Sequence, residues 1–141
     1  MIVLDTDHLS LLMQGTGPEG RRIMARLEAI DPANLATTII TFEEQTRGWL
    51  AFTKRARSAS QMVEGYGRLK KHLDTYQRMN VLDFDQEAAM IFLSLRRSKI
   101  RVGTMDLKIG AIALAREATL LSRNIVDFGR IFGLKVEDWS A

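Results

Sequence analysis

Met1-Ile2-Val3-Leu4-Asp5-Thr6-Asp7 opens the chain as an apolar run that stops abruptly on acid. Ile2 to Leu4 read as a short buried strand. The first polar group after such a strand lies at the carboxyl edge of a sheet, where open α/β folds place their chemistry. Further acids stand where the pattern turns from strand to helix or back: Glu43 and Glu44, Asp106, and Asp127. Carboxylates gathered at one sheet edge repel one another unless cations neutralise them, so a divalent metal is the first hypothesis.

Working outward, Asp7 caps a short helix through Met13, and Gln14 to Gly20 is a glycine-rich loop. Arg21 to Ile30 places Ile23, Met24, Leu27 and Ile30 on one helical face, and Asp31-Pro32 ends it. Leu35 to Ile40 is apolar and β-branched, a second strand, after which Thr41 opens a helix to about Arg57. A long helix follows over Ser58 to Met79, weakened in its middle by Gly65 and Gly67. Asn80 to Phe84 is a third strand, and Asp85 caps a helix from Gln86 to Ser98. Thr104 begins a helix with a small apolar face, Thr119 to Ser122 is a fourth strand, and Leu134 to Val136 a fifth at an edge. Strand alternating with helix predicts an α/β domain with a mostly parallel sheet of four to five strands covered on both faces.

At 141 residues a single domain over residues 1–141 is expected, long enough to bury roughly two thirds of its unfolded surface. No cysteine is present, which excludes disulfides, thiolate catalysis and zinc–cysteine sites. The apolar start ends at Asp5, too short for a signal peptide or membrane span, so a cytoplasmic protein with no membrane partner is expected. Basic residues are grouped as Lys54-Arg55-Arg57, Arg68-Lys70-Lys71 and Arg96-Arg97-Lys99-Arg101. Such groups suit a phosphate backbone, although solvated helix faces look the same.

Each candidate carries a plain alternative. Gly15-Thr16-Gly17-Pro18-Glu19-Gly20 fits G-x-G-x-x-G, but the dinucleotide fingerprint needs those glycines directly after a strand, and here a helical segment intervenes. It is read as a surface loop. Asp5 has the alternative of a turn residue, yet Asp5-Thr6-Asp7 packs more polarity into a sheet edge than a turn needs. Helix capping accounts well for Asp7. Thr41-Phe42-Glu43-Glu44 has capping-box spacing, with Glu44 reaching back, which is compatible with metal binding at the same edge. Asp106 starts a helix of small residues and is favoured there by the helix dipole in any case. Asn124 and Asp127 both follow the fourth strand, and periodicity does not choose between them. His8 and His72 form no metal-ligand pair. An all-oxygen set points to Mg²⁺ or Mn²⁺.

These motifs together resemble the PIN-domain ribonucleases, in particular the VapC-type toxins of toxin–antitoxin pairs. Val3-Leu4-Asp5-Thr6-Asp7 is similar to that family's opening, with Asp7 where Asn is usual. Thr41-Phe42-Glu43-Glu44 with Gly48 resembles its T-x-x-E followed by Gly and selects Glu44 over Glu43. Asp106 through Ala113 resembles D-L-x-I-A-A-x-A, with Gly110 where Ala is usual. Leu121 through Phe128 resembles L-T-R-N-x-x-D-F, and Gly133 through Trp139 resembles the family's ending.

The resemblance implies a PIN-like three-layer α/β/α fold and a metal-dependent endoribonuclease. It further implies a homodimer, a cognate antitoxin protein as partner, and transfer or ribosomal RNA as substrate. On that reading Asp5, Glu44 and Asp106 hold one Mg²⁺ or Mn²⁺, and Asp127 or Asn124 completes a second site or orients water, with Thr6 and Asp7 lining the pocket. Two alternatives come from other classes. A phosphatase of the haloacid dehalogenase type would use Asp5 and Asp7 as D-x-D, but Leu9 stands where Thr or Val is expected. A non-catalytic module would bind RNA or protein through the same surface.

Overall fold

Alternation along the strands divides the interior into two. Val3, Ala36 and Leu120 join one apolar cluster, while their neighbours Leu4 and Leu121 join the other, as a period of two requires. The computed structural model describes residues 1–141. Its strands are β1 (Ile2–Leu4), β2 (Leu35–Thr38), β3 (Val81–Leu82), β4 (Thr119–Leu121) and β5 (Lys135–Glu137). They form one five-stranded sheet in the order β3-β2-β1-β4-β5. Every pairing is parallel, so the mostly parallel sheet of the sequence reading is parallel throughout.

The helices are α1 (Thr6–Gln14), α2 (Pro18–Leu27), α3 (Ile39–Lys54), α4 (Ala59–Gln77), α5 (Gln86–Arg97), α6 (Thr104–Ala115) and α7 (Ile125–Phe128), with a 3₁₀ turn at Pro32–Asn34. Residues of α5, α6 and α7 pack on one face of the sheet around Phe92, Ile109, Ile112 and Phe128. On the other face α1, α2 and α4 contribute Leu9, Ile23, Leu27 and Tyr76, joined by Trp139. The result is three layers. Phe128 is wholly buried, and burial of a side chain of that size contributes roughly 2–3 kcal/mol.

Several expected boundaries move for physical reasons. The second strand ends at Thr38 instead of Ile40, because the Thr38 hydroxyl accepts from Thr41 N and caps α3. Thr41 is therefore inside the helix, and the capping box assigned to Thr41 and Glu44 does not form. Asp5, not Asp7, caps α1, with its carboxylate accepting from Thr6 N. Helix α2 begins at Pro18, a residue suited to the first helical position, which shortens the expected glycine loop. Gly15 ends α1 with a positive φ of 70°, conformational work that glycine does at least cost. The long helix is unbroken at its glycines. A Cβ on Gly65 would stand 2.8 Å from Thr53 Oγ1, so glycine there lets α4 lie against α3. The third strand is also shorter than Asn80 to Phe84.

This order places the site. The chain runs outward from β1 through β2 to β3, then returns to the other side of β1 as β4. The junction of β1 and β4 is thus the switch point, and ligands of open α/β sheets bind outside the carboxyl ends of strands at such a point.

Candidate active site

At that junction Leu4 is in register with Leu121, so Asp5 and Ser122 emerge side by side. Ser122 Oγ donates to Asp5 Oδ2 at 2.7 Å, and Asp5 N donates to the Leu121 carbonyl at 2.9 Å. Asp5 is only 6% exposed. Burial pushes its carboxyl up to about 7, with Asp7 and Asp106 adding repulsion against the hydrogen bonds from Ser122 and Thr6 N.

The other predicted acids lie around it on three helices. The second turn of α3 carries Glu44, which accepts from Thr6 Oγ at 3.2 Å; Thr6 in turn reaches the Thr41 hydroxyl at 3.4 Å. Glu44 is held above its usual range by burial, then by Asp106 and Glu43. Asp106 sits in the first turn of α6 and is raised by burial and by the neighbouring charges of Asp127 and Asp7. Asn124 and Asp127 both approach this edge, and Asn124 bridges the two acids: its Nδ2 donates to Asp106 Oδ2 at 3.3 Å and to Asp127 Oδ2 at 3.0 Å. Asp127 also receives Arg130 at 3.1 Å. Glu43 instead pairs with Arg47 along the helix surface at 2.6 Å, away from this set.

Asp7 belongs to the cluster but is spent on structure. Its Oδ2 accepts from Arg123 N at 2.9 Å and lies 3.3 Å from Ser122 Oγ, while its Oδ1 meets His8 Nδ1 at 2.7 Å. Burial would raise its carboxyl, but the hydrogen bonds from His8 and Arg123 outweigh that and leave it below the usual range. With both oxygens engaged, Asp7 is poorly placed to serve as the acid/base of a D-x-D phosphatase.

Asp5, Glu44 and Asp106 make no salt bridge, and Asp106 repels both of the others. Oxygen donors in that condition suit a hard dication. They do not stand as a closed cage: no three acidic or imidazole groups are close enough, as placed, to hold a metal ion together. Each acid is instead held back by a local donor, Asp5 by Ser122, Glu44 by Thr6, and Asp106 by Asn124.

Two residues with roles here escape the sequence reading. Ser122 carries no signal of its own, and only the parallel register of β1 and β4 brings it to Asp5. His8 is wholly buried beside Asp7 and apart from His72, which bonds Thr46 at 2.8 Å on another part of the molecule. Of the basic residues, Arg55, Arg68 and Lys71 rim a cavity of about 640 Å³ between α1, α3 and α4, walled by Trp49 and Phe52. No helix is long and apolar enough to cross a membrane.

Residues 2–131 match the family model described as PIN domain. A "tRNA(fMet)-specific endonuclease VapC" of Salmonella typhimurium is 36% identical over 66 residues, 44% of this chain and 50% of that protein. "Ribonuclease VapC2" of Rickettsia felis is 33% identical over 66 residues, 44% of this chain and 49% of that protein. The chain's match thus spans about half the length of these curated relatives. Among solved structures, VapBC-1 from nontypeable Haemophilus influenzae superposes with a TM-score of 0.75 at 24% identity, covering 100% of both chains. FitAB bound to an IR36 DNA fragment gives 0.73 at 20% identity over 100% of this chain and 96% of that one.

Proposed function

The chain belongs to the PIN domain family, and from that premise we propose that it is a metal-dependent endoribonuclease of the VapC toxin type, hydrolysing RNA phosphodiester bonds. The observation that carries this reading is a buried carboxylate, Asp5, at the sheet's switch point, repelled by Asp106 and unpaired with any cation. Such a group is costly to a fold unless something positive joins it.

In this mechanism Asp5, Glu44 and Asp106 are the residues that would hold Mg²⁺ or Mn²⁺. When bound, a dication of this kind lowers the pKa of a water and offsets charge on the phosphate. The chain's own groups orient the rest. Ser122 fixes the direction of Asp5, and Thr6 that of Glu44. Asn124 spaces Asp106 from Asp127, so Asp127 Oδ2 is set to orient a water or complete a second site. The basic rim of Arg55, Arg68 and Lys71 supplies phosphate contacts, and binding should weaken as salt rises.

Two similar proteins are named as an endonuclease and a ribonuclease, and similar structures are VapBC or toxin–antitoxin complexes. These names support RNA as substrate, with transfer RNA one class to try first, and a cognate antitoxin as partner. A homodimer in the cytoplasm fits the same picture. The test is to sequence RNA ends from cells expressing this chain and from cells expressing Asp5→Asn. New ends at defined sites with the first and none with the second are expected. No new ends from the parent would overturn the proposal and leave a non-catalytic binding module, and the same new ends from both would remove Asp5 from the catalytic set.

A further inference from the structure

The buried histidine beside the acids has no part in the mechanism above, yet its hydrogen bonds leave it one chemical form. Trp139 N donates to His8 Nε2 at 3.0 Å. A backbone N–H can only donate, so Nε2 must offer its lone pair and the ring proton must sit on Nδ1. There it is directed at Asp7 Oδ1, 2.7 Å away. Asp138 Oδ1 lies 3.6 Å from Nε2, beyond hydrogen-bond reach, and is occupied by Ser140 N at 2.8 Å.

Asp7 therefore faces donors on both sides: the imidazole on Oδ1, and Arg123 N on Oδ2 with the Ser122 hydroxyl nearby. Only a group with two acceptor oxygens fits, since an amide would turn its NH₂ against one of those donors. Ser122, whose backbone joins Arg123, delivers its proton to Asp5 Oδ2 at 2.7 Å. At the far end, the segment after β5 is seated on the helices. Arg26 lies over the Trp139 ring at 4.2 Å, and Arg22 Nε donates to the Ser140 carbonyl at 2.7 Å. An unbroken chain of contacts runs from Trp139 through His8, Asp7 and the Ser122–Arg123 turn to Asp5.

We propose that His8 is a positioning residue: with Nε2 accepting from Trp139 N, it keeps its proton on Nδ1 and holds Asp7 as a two-oxygen acceptor, which seats the Ser122–Arg123 turn beside Asp5. Its effect on turnover rests on the nuclease reading, whereas its effect on Asp7 does not. Asp7 is thereby assigned to support, not to metal ligation.

Two substitutions separate the halves of the ring. His8→Asn puts an amide nitrogen near the Nδ1 position and keeps a donor for Asp7; His8→Gln puts an amide oxygen near Nε2 and keeps an acceptor for Trp139. Both should melt earlier than the parent. With the full chain and Mn²⁺ as probe, His8→Gln should bind the ion about tenfold more weakly and lower kcat about tenfold, with KM for RNA within about twofold. His8→Asn should stay within about threefold of the parent in both. A purely structural role predicts lower melting with ion binding and kcat unchanged in His8→Gln, and that result overturns the proposal. Independently of whether the variants fold, long-range ¹H–¹⁵N correlation on the histidine-labelled parent should show His8 neutral and protonated at Nδ1; an Nε2–H ring or an imidazolium overturns it. If the parent cuts no RNA, the nuclease reading falls, while the tautomer and the Mn²⁺ comparison still decide the role of His8.

Discussion

Ser122 Oγ and Asp5 Oδ2 are 2.7 Å apart across the seam between the two central strands, although 117 positions separate them in the chain. The hydroxyl is wholly buried and also accepts from Asn124 N at 3.0 Å, so it sets both the acid of β1 and the turn that carries the amide. The site's geometry depends on this one short contact.

Ser122→Ala should therefore act through Asp5. Removing the donor takes away a hydrogen bond that favours the ionised Asp5 carboxylate, so its proton is held still more tightly. We expect a stability loss of about 1–3 kcal/mol at neutral pH, from the buried acceptor and the Asn124 amide left without partners. RNA cleavage should fall most near pH 6 to 7 and recover partly as pH rises and Asp5 ionises. A pH–rate profile of parent and variant checks this; identical profiles would remove Ser122 from the account.

Asp5 also dictates how the ion-free fold responds to pH. In the folded chain its carboxyl keeps its proton up to about pH 7, whereas an unfolded aspartate releases it near 4. Between those values the native state binds more protons, so unfolding free energy falls as pH rises through the window. The contribution of Asp5 is most favourable below about pH 4 and fully lost above about 7, an effect of order 4 kcal/mol. Glu44 and Asp106, both raised, add to the decline, whereas Asp7 and Asp138, both held below the usual range, act oppositely, but only at the acid end. Urea melts across pH 4 to 8 should show the decline in the parent, its flattening in Asp5→Asn, and its reversal on adding Mg²⁺. A level profile in the parent would contradict the burial argument.

Asn124 separates two carboxylates by donating to both. Asn124→Asp replaces those donors with a third charge. The ion-free variant should lose more than about 1 kcal/mol. Divalent ions should then raise its melting temperature more than they raise the parent's. Melting with and without Mg²⁺ measures both; an ion response no larger than the parent's would place Asn124 outside the metal-binding region.

Gly65→Ala tests the packing that positions α3. Alanine is the better helix former by about 1 kcal/mol, but its Cβ would stand 2.8 Å from Thr53 Oγ1 and 3.1 Å from Thr53 Cα. Because backbone is involved, the helices must separate, and a net loss of about 1–2 kcal/mol is expected by thermal or urea unfolding. A stabilised variant would show that α3 and α4 have slack between them.

Asp5, Asp106 and Asp127 were legible as candidates because each stands where an apolar strand ends or a helix begins, and those transitions are local, whereas Glu44 lies in the second turn of α3 and stood out from Glu43 only through the family resemblance. Asp5 after Ile2–Leu4 is the plainest case, and the same pattern announced the parallel sheet. What stayed hidden depends on register or on hydrogen bonds. Thr38 and Thr41 look alike by propensity, and only the bond from Thr41 N to the Thr38 hydroxyl shows which one starts α3. Gly65 reads as a helix breaker until its helix is seen against Thr53. Ser122 and His8 are ordinary letters until β4 and the Trp139 segment are brought beside β1.

Asp5 and Asp106, joined by Glu44, are proposed to act together on one dication. Mn²⁺ binding to the purified chain, followed by electron paramagnetic resonance or calorimetry, tests this directly against Asp5→Asn and Asp106→Asn. Saturable binding by the parent is expected, with at least about a tenfold weaker affinity in each variant and circular dichroism unchanged. A parent that does not bind Mn²⁺, or variants that bind it as the parent does, would contradict it.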